Sequence, residues 1–321
     1  MAPSLTGTLT GTGSTFQFTF QQHAIAGFRA VQPGVQVDYL GGGSTTGRAN
    51  LAAGIVNFAG SDTAPIPASE LAGFKGRTVL YFPVVLGPIA IAYNLPTVSK
   101  LQLSGPVIAG IFQGTITKWN DPAIAAENPG IKLPGTQIVI VRRSDSSGTT
   151  QNFTKFLGES APQVWKLGSD SMIHWPAGSL PALGNAGVAS IIQTTPGAIG
   201  YVDYADAKSS ELKDALIKNQ AGRYIAPSPE TASAAASRVA VNPDLTFSAV
   251  WAPGAGSYPI TYQSWVLIYE RQPDASIAKR LLAWIGYLLG DGQTLLLGLN
   301  YAPLPSNIDQ MAARQLTEIS P

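Results

Sequence analysis

Residues 138–157 constrain this chain more than any other stretch. Ile138-Val139-Ile140-Val141 is a short β-branched run that reads as a buried strand. Residues 151–157 read as a helix with Phe153, Phe156 and Leu157 on one face. Between them lies Arg142-Arg143-Ser144-Asp145-Ser146-Ser147-Gly148-Thr149-Thr150, a turn that opens a helix. A helix N-terminus presents unpaired N–H groups and a partial positive charge, so it attracts anions. Ser147, Gly148 and Thr149 place hydroxyls and an unobstructed backbone at that terminus. Arg143 adds a planar fork of donors suited to a tetrahedral oxyanion, and Asp145 stands two residues away to hold it. The plainer reading of the same residues is a Ser-capped helix beside a surface Arg–Asp pair.

The pattern recurs twice near the start of the chain. Residues 10–16 read as a Gly/Thr loop, followed by a helix with Phe16, Phe20, Ala24 and Phe28 at four-residue spacing. His23 on that helix reads as packing or surface. Gln32-Pro33-Gly34 stops the helix, and residues 35–39 alternate as a half-buried strand. A second glycine-rich loop, residues 41–48, leads into a helix over 49–54, and residues 55–62 form a strand that ends on Ser61-Asp62. Three junctions from strand to helix thus carry Ser, Thr or Gly where a helix begins. In open α/β sheets ligands sit at the carboxyl ends of strands, so the three predict one oxyanion pocket.

Further along, residues 79–93 read as sheet strands broken at Gly87-Pro88, and residues 177–188 as irregular. A helix is expected over 187–193, an alanine-rich helix capped by Ser228, a long strand over 259–268, a strong amphipathic helix over 276–289, a second helix over 290–299 and a last one over 307–316.

Composition narrows the function. The chain has 321 residues, enough for two domains, and 45% of them are hydrophobic, enough for full cores. Charged residues are only 12% and the net charge is +1, so no field draws in nucleic acid. An anion must instead be caught by a few placed groups. With no cysteine, disulfides, thiolate metal sites and a cysteine nucleophile are excluded. The two histidines lack metal-ligand spacing, and neither a metal nor a cofactor is expected. No run of 18 apolar residues exists to span a membrane. The Met-Ala-Pro-Ser start lacks basic and apolar signal regions, which suits a cytosolic protein or an exported one whose signal has been removed.

Taken together, the loops resemble the periplasmic phosphate-binding protein of the bacterial phosphate-uptake ABC transporter. That family shows Thr-Gly-x-Gly-x-Thr-Phe, a Gly-x-Gly-Ser loop, a Ser-Asp after a strand, and Arg-Arg-x-Asp-x-Ser-Gly-Thr. This chain has them at 10–16, 41–44, 61–62 and 142–149, in the family's order. Residues 118–121, 196–204 and 300–305 are also similar to the family. The resemblance implies an α/β fold of the two-lobed periplasmic binding-protein type (type II, venus-flytrap). Each lobe would be a mixed sheet flanked by helices. Lobe one would be residues 1–93 plus 261–321 and lobe two 94–260, with the ligand cleft between them. A two-strand hinge is implied near 85–95 and 256–264.

It also implies a dry phosphate. Thr15 would donate by hydroxyl, Phe16 by backbone N–H, and Ser44 from the second loop. Arg143 would be the charge partner, oriented by Asp145, and Ser147, Gly148 and Thr149 would donate from the helix N-terminus. Asp62, a carboxylate beside an anion, is tolerated only as acceptor of the proton that phosphate carries and sulfate lacks. Ser14 and Gln17 stand where the family more often has Ala and Pro, and Thr45-Thr46 replaces a Ser-Gly pair. None of these alters a residue of the implied set. The implied setting is periplasmic, the implied partners are inorganic phosphate and the membrane permease of a phosphate ABC transporter, and the protein is expected to be a monomer and not an enzyme.

Other readings stand beside this one. A serine hydrolase needs Gly-x-Ser-x-Gly, and Gly42-Gly43-Ser44-Thr45-Thr46 fails at the last position. The glycines form no nucleotide-binding loop with a Lys-Ser or Lys-Thr end. A phosphatase or other phosphoester hydrolase would use Asp62 or Ser44 as nucleophile. A receptor for another tetrahedral oxyanion, or for a phosphorylated metabolite, would use the same donors.

Overall fold

A computed structural model describes residues 5–321. The chain forms two compact units. Unit one holds the residues up to Leu86, then Ala240–Phe247 and Gln263–Pro321; unit two holds Gly87–Val239 and Ser248–Tyr262. The strand run expected to end lobe one at 93 divides after Leu86, and Ala240–Phe247 groups with unit one. Packing explains the second point. Within unit one, the Trp265 indole N–H donates to Leu245 O at 3.0 Å, and its ring meets Phe247 edge-on at 5.7 Å.

Unit one begins with β1 (Gly7–Gly13), α1 (Phe18–Val31), β2 (Val35–Gly41), α2 (Ser44–Ala52) and β3 (Phe58–Ser61). β1 lies between β2 and β3, parallel to both, with Gly13 opposite Gly41 on one side and Gly60 on the other. Three parallel strands in this register end side by side, so the residues after each of them share one end of the sheet. β2 alternates buried and exposed as its sequence does. Phe20, Ala24 and Phe28 of α1 are buried, as their spacing requires.

Two expectations for this unit change. The Gly/Thr stretch from residue 10 is strand as far as Gly13, not loop. Its threonines suit a pleated surface, and its glycines admit neighbours. A Cβ on Gly11 would lie 2.3 Å from the Phe58 ring, and one on Gly13, whose φ is +138°, would lie 2.1 Å from Gly60 O. The second helix starts at Ser44, not 49, so Ser44 sits on its first turn.

The next strand, β4 (Val79–Tyr93), runs unbroken through Gly87-Pro88. Pro88, which has no N–H, falls between Leu86, bridged to Ala302, and Ile89, where pairing with a strand of unit two begins. Unit two continues with α3 (Gly105–Phe112), β5 (Val139–Arg143), α4 (Gly148–Ser160), β6 (Leu180–Ala182), α5 (Gly184–Thr194) and β7 (Ala198–Asp203). β6 and α5 replace most of the stretch read as irregular; the strand is only three residues long and contains Pro181, which hides it from pattern reading. β5 is parallel to β6 and β7, and β7 is antiparallel to Ile89–Tyr93 of β4. α5 closes this sheet with Val188, Ala189 and Ile192 against Val141, Ala198 and Val202.

The chain then forms α6 (Pro229–Ala236), which Ser228 caps as expected, β8 (Thr261–Tyr269), α7 (Ala275–Leu289) and α8 (Ser306–Gln315). β8 is antiparallel to β3, with Trp265 opposite Ser61. The helix expected over 290–299 is two 3-10 turns, Asp291–Leu295 and Leu297–Leu299, because Gly290, Gly292 and Gly298 give no helical propensity to extend them. Each unit is thus a mixed sheet flanked by helices: order β2-β1-β3-β8 in one, β6-β5-β7-β4 in the other.

Candidate functional site

In unit one, the residues after β1, β2 and β3 converge on one carboxylate. Asp62 is 2% exposed. Its Oδ1 accepts the hydroxyls of Ser14 and Ser264, each at 2.5 Å, and its Oδ2 accepts Ser44 Oγ at 3.3 Å. Ser44 Oγ in turn accepts the Asp62 N–H at 3.1 Å, so helix start and strand end are tied reciprocally. The Phe16 N–H donates to Ser14 Oγ at 3.0 Å. Phe16, Ser44 and Asp62, all expected site residues, are therefore brought together, with Ser14 as the link. Thr15 lies in the turn between β1 and α1, its methyl 3.2 Å from where a Cβ on Gly41 would be.

The framework around them is polar but satisfied. Tyr39 of β2 donates to Ser14 O at 2.8 Å. Burial, and then the charge of Asp62, hold the Tyr39 hydroxyl well above its ordinary value of 10, so it stays a neutral donor. Gly60 makes room for it, since a Cβ there would lie 2.1 Å from the Tyr39 oxygen. Arg48 of α2 is buried, paired with Glu70 at 2.7 Å, and donates to Ser61 Oγ at 2.8 Å, which fixes the residue before Asp62.

In unit two, β5 delivers Arg143 to the start of α4. Arg143 is 3% exposed, and its guanidinium is bound by Asp145 through two nitrogens, Nε at 2.8 Å and Nη2. The remaining nitrogen, Nη1, reaches Thr149 Oγ1 at 3.5 Å. Asp145 also accepts the N–H of Gly184, the first residue of α5, at 3.3 Å. Ser147 caps α4 by accepting the Thr150 N–H at 3.2 Å. The plainer reading is right about the cap and about the Arg–Asp pair, but Arg143 is buried and Asp145 only partly exposed, so the pair is not a surface one. An Arg held in this way, beside the first turn of a capped helix, presents donors and positive charge in a dry place. Gly148 and Thr149 complete that turn and are buried.

Several residues escaped the sequence reading. Ser264 lies more than two hundred positions from Asp62 and reaches it only because β8 pairs with β3. Tyr201 of β7 accepts the Arg143 N–H at 3.2 Å and bonds Thr150 Oγ1 at 2.7 Å. Burial pushes its hydroxyl up to about 12, while the bonds to Thr150 and Arg143 pull the other way. Asp206, on the short helix Tyr204–Ser209 after β7, is pushed up to about 6 by burial, against the pull of the Arg143 charge. The family-like run at 196–204 was the signal that β7 matters, but nothing in it marked a second acid. His174 shares a pocket of about 270 Å³ with Arg142, Arg143, Asp145 and Trp175.

Among the described residues, no group of three or more His, Asp or Glu side chains is arranged to hold a metal ion. Among the same residues, no helix is long and apolar enough to cross a membrane.

Two mixed sheets, each with its polar cluster at the carboxyl ends of parallel strands, define a class of solute-binding proteins. A PBP superfamily domain matches residues 2–291. The phosphate-binding protein PstS of Xylella fastidiosa (strain Temecula1 / ATCC 700964) is 37% identical over 307 residues, covering 94% of this chain and 82% of that protein. PstS of Pasteurella multocida (strain Pm70) is 34% identical over 319 residues, covering 97% and 91%. The chain belongs to the PstS family of phosphate-binding proteins.

Solved structures show the same fold. A high affinity periplasmic phosphate-binding protein bound with phosphate matches with a TM-score of 0.80 at 22% identity, covering 96% of this chain and 94% of that one. A phosphate-binding protein from Stenotrophomonas maltophilia matches with a TM-score of 0.74 at 19% identity, covering 96% and 93%. The fold is the two-lobed α/β type expected from the resemblance.

Proposed function

We propose that the protein binds inorganic phosphate with high affinity in the periplasm and delivers it to the permease of a phosphate ABC transporter. The observation that carries this reading is the pairing of opposite chemistries in a member of the PstS family. A buried Arg143, pinned by Asp145 at the start of a capped helix, offers charge and donors to an oxyanion. A buried carboxylate, Asp62, stands at the strand ends of unit one and asks for a ligand that brings a proton. Phosphate satisfies both and sulfate satisfies only the first. The proposed ligand set is Thr15, Phe16, Ser44, Asp62, Arg143, Ser147, Gly148 and Thr149, with Asp145 orienting Arg143. No metal is needed, because the anion is matched by Arg143, hydroxyls and backbone N–H groups. The protein is proposed to act as a monomer.

In this reading nothing is turned over. As a phosphatase nucleophile Asp62 would be poorly prepared, since three serine hydroxyls already donate to it and stabilise its charge. Calorimetric titration tests the proposal with phosphate, sulfate and arsenate, alongside an assay on a chromogenic phosphomonoester. Tight phosphate binding without turnover supports the receptor. Turnover of the ester would make the protein an enzyme.

A further inference from the structure

Asp62 is held by its serines in a directed way. A hydroxyl that receives an N–H must send its own proton elsewhere. Ser14 Oγ receives the Phe16 N–H at 3.0 Å, and Ser264 Oγ receives Gln17 Nε2 at 2.6 Å. Ser14 Oγ sends its proton to Asp62 Oδ1 at 2.5 Å; Ser264 Oγ faces two acceptors, Asp62 Oδ1 at 2.5 Å and Ser61 O at 3.3 Å, and the nearer, charged oxygen takes its proton. The Gln17 amide cannot be reversed, because its nitrogen also donates to Trp265 O at 3.0 Å, and a carbonyl only accepts. Its oxygen takes Gln21 Nε2 at 2.7 Å. Ser14, Gln17, Gln21, Asp62 and Ser264 are each no more than 2% exposed. In such a place hydrogen bonds are strong and water does not compete.

We propose that Ser14 and Ser264 are specificity-determining residues, which keep Asp62 ionised beside a bound anion and so keep sulfate out as the pH falls. This rests on the phosphate reading above. A buried carboxylate next to an anion is driven to take up a proton, by desolvation and by like charge. Once protonated, Asp62 carries an O–H of its own. It can then donate to sulfate, and the discrimination disappears. Two directed donors on Oδ1 oppose that protonation, because they favour the charged form. Around Asp62, β2 contributes Tyr39, which burial keeps neutral, and α2 contributes Arg48, which is paired with Glu70.

The test is competition between sulfate and phosphate from pH 4.5 to 8, on the wild type, Ser14→Ala, Ser264→Ala and Asp62→Asn, with circular dichroism as the check on folding. Ser264→Ala serves if Ser14→Ala does not fold. The ionisation of phosphate itself is common to all four proteins, so the readout is the displacement between their curves. In either serine variant, sulfate should begin to compete at a pH about one to two units higher than in the wild type. In Asp62→Asn, which has no proton to gain there, the step should be absent. Serine-variant curves that coincide with the wild type overturn the proposal. A wild type that binds no phosphate at any pH instead removes the reading on which it rests.

Discussion

In the proposed site Asp62 and Arg143 carry opposite tasks, and substitution separates them. Asp62→Asn keeps the shape of the side chain but adds an N–H that can turn toward the ligand. Sulfate should then compete better against phosphate, with the phosphate-to-sulfate ratio falling by roughly tenfold or more in competition titrations. Arg143→Ala removes the proposed positive partner of every oxyanion and leaves Asp145, which is partly buried, without its own partner. Phosphate and arsenate affinity should both fall by about 2–5 kcal/mol, with little change in their ratio. Asp206 makes a claim about stability. Its carboxyl is raised to about 6 from an ordinary 3.8, so the fold prefers the protonated form. The stability it contributes is complete below the ordinary value and is lost as pH rises through 6. Urea unfolding should show the wild type losing up to about 3 kcal/mol relative to Asp206→Asn between pH 4 and 7. A constant difference over that range would contradict the assignment. Of these residues, Asp62, Arg143 and Asp145 were legible, because each closes a strand or opens a helix inside a recognisable motif. Ser264 and Asp206 were not, since only strand pairing and burial bring them to their partners.

The elements that place the clusters are two junctions with different tolerances. α2 crosses the ends of β1 and β3 at Gly47, where a Cβ would lie 2.6 Å from Gly13 Cα, 2.7 Å from Thr12 O and 3.0 Å from Gly60 O. All three are backbone atoms, which cannot swing aside. Gly47→Ala should destabilise the protein by about 1–3 kcal/mol in denaturant titration, although Ala is the better helix former. A neutral or stabilising result would mean that α2 does not pack so closely. The α4 junction depends on its cap, and Ser147→Ala should lose about 1 kcal/mol by the same measurement. Periodicity made α1, β2, α4 and α7 legible, because each has one clearly apolar face. β1 and the start of α2 were misread for one reason. Their glycines permit close approach by Phe58, Gly60 and the helix, and in a sequence such glycines look like loop.

Both units repeat one arrangement: three parallel strands with the earliest of the three in the chain at the middle, and an antiparallel neighbour on the third. Strand direction then sends the proposed ligand residues of each unit to the carboxyl ends. The sequence told of strand-to-helix junctions, but not of this shared order, which is set by pairings between segments far apart in the chain. Residues 240–247 were unreadable for the same reason, since contact with Trp265, not local pattern, assigns them to unit one. A ligand that binds only the folded chain should raise its stability by about 2.7 kcal/mol at a hundred times its dissociation constant. Phosphate should do so in thermal unfolding, and sulfate at the same concentration should not. The central claim is that the whole chain is a receptor for one inorganic phosphate, and calorimetric titration of the chelator-treated protein tests it most directly. One phosphate should bind per chain without added metal, with no displacement by equimolar sulfate at neutral pH. A requirement for a divalent ion, a stoichiometry other than one, or sulfate binding as tightly as phosphate would contradict it.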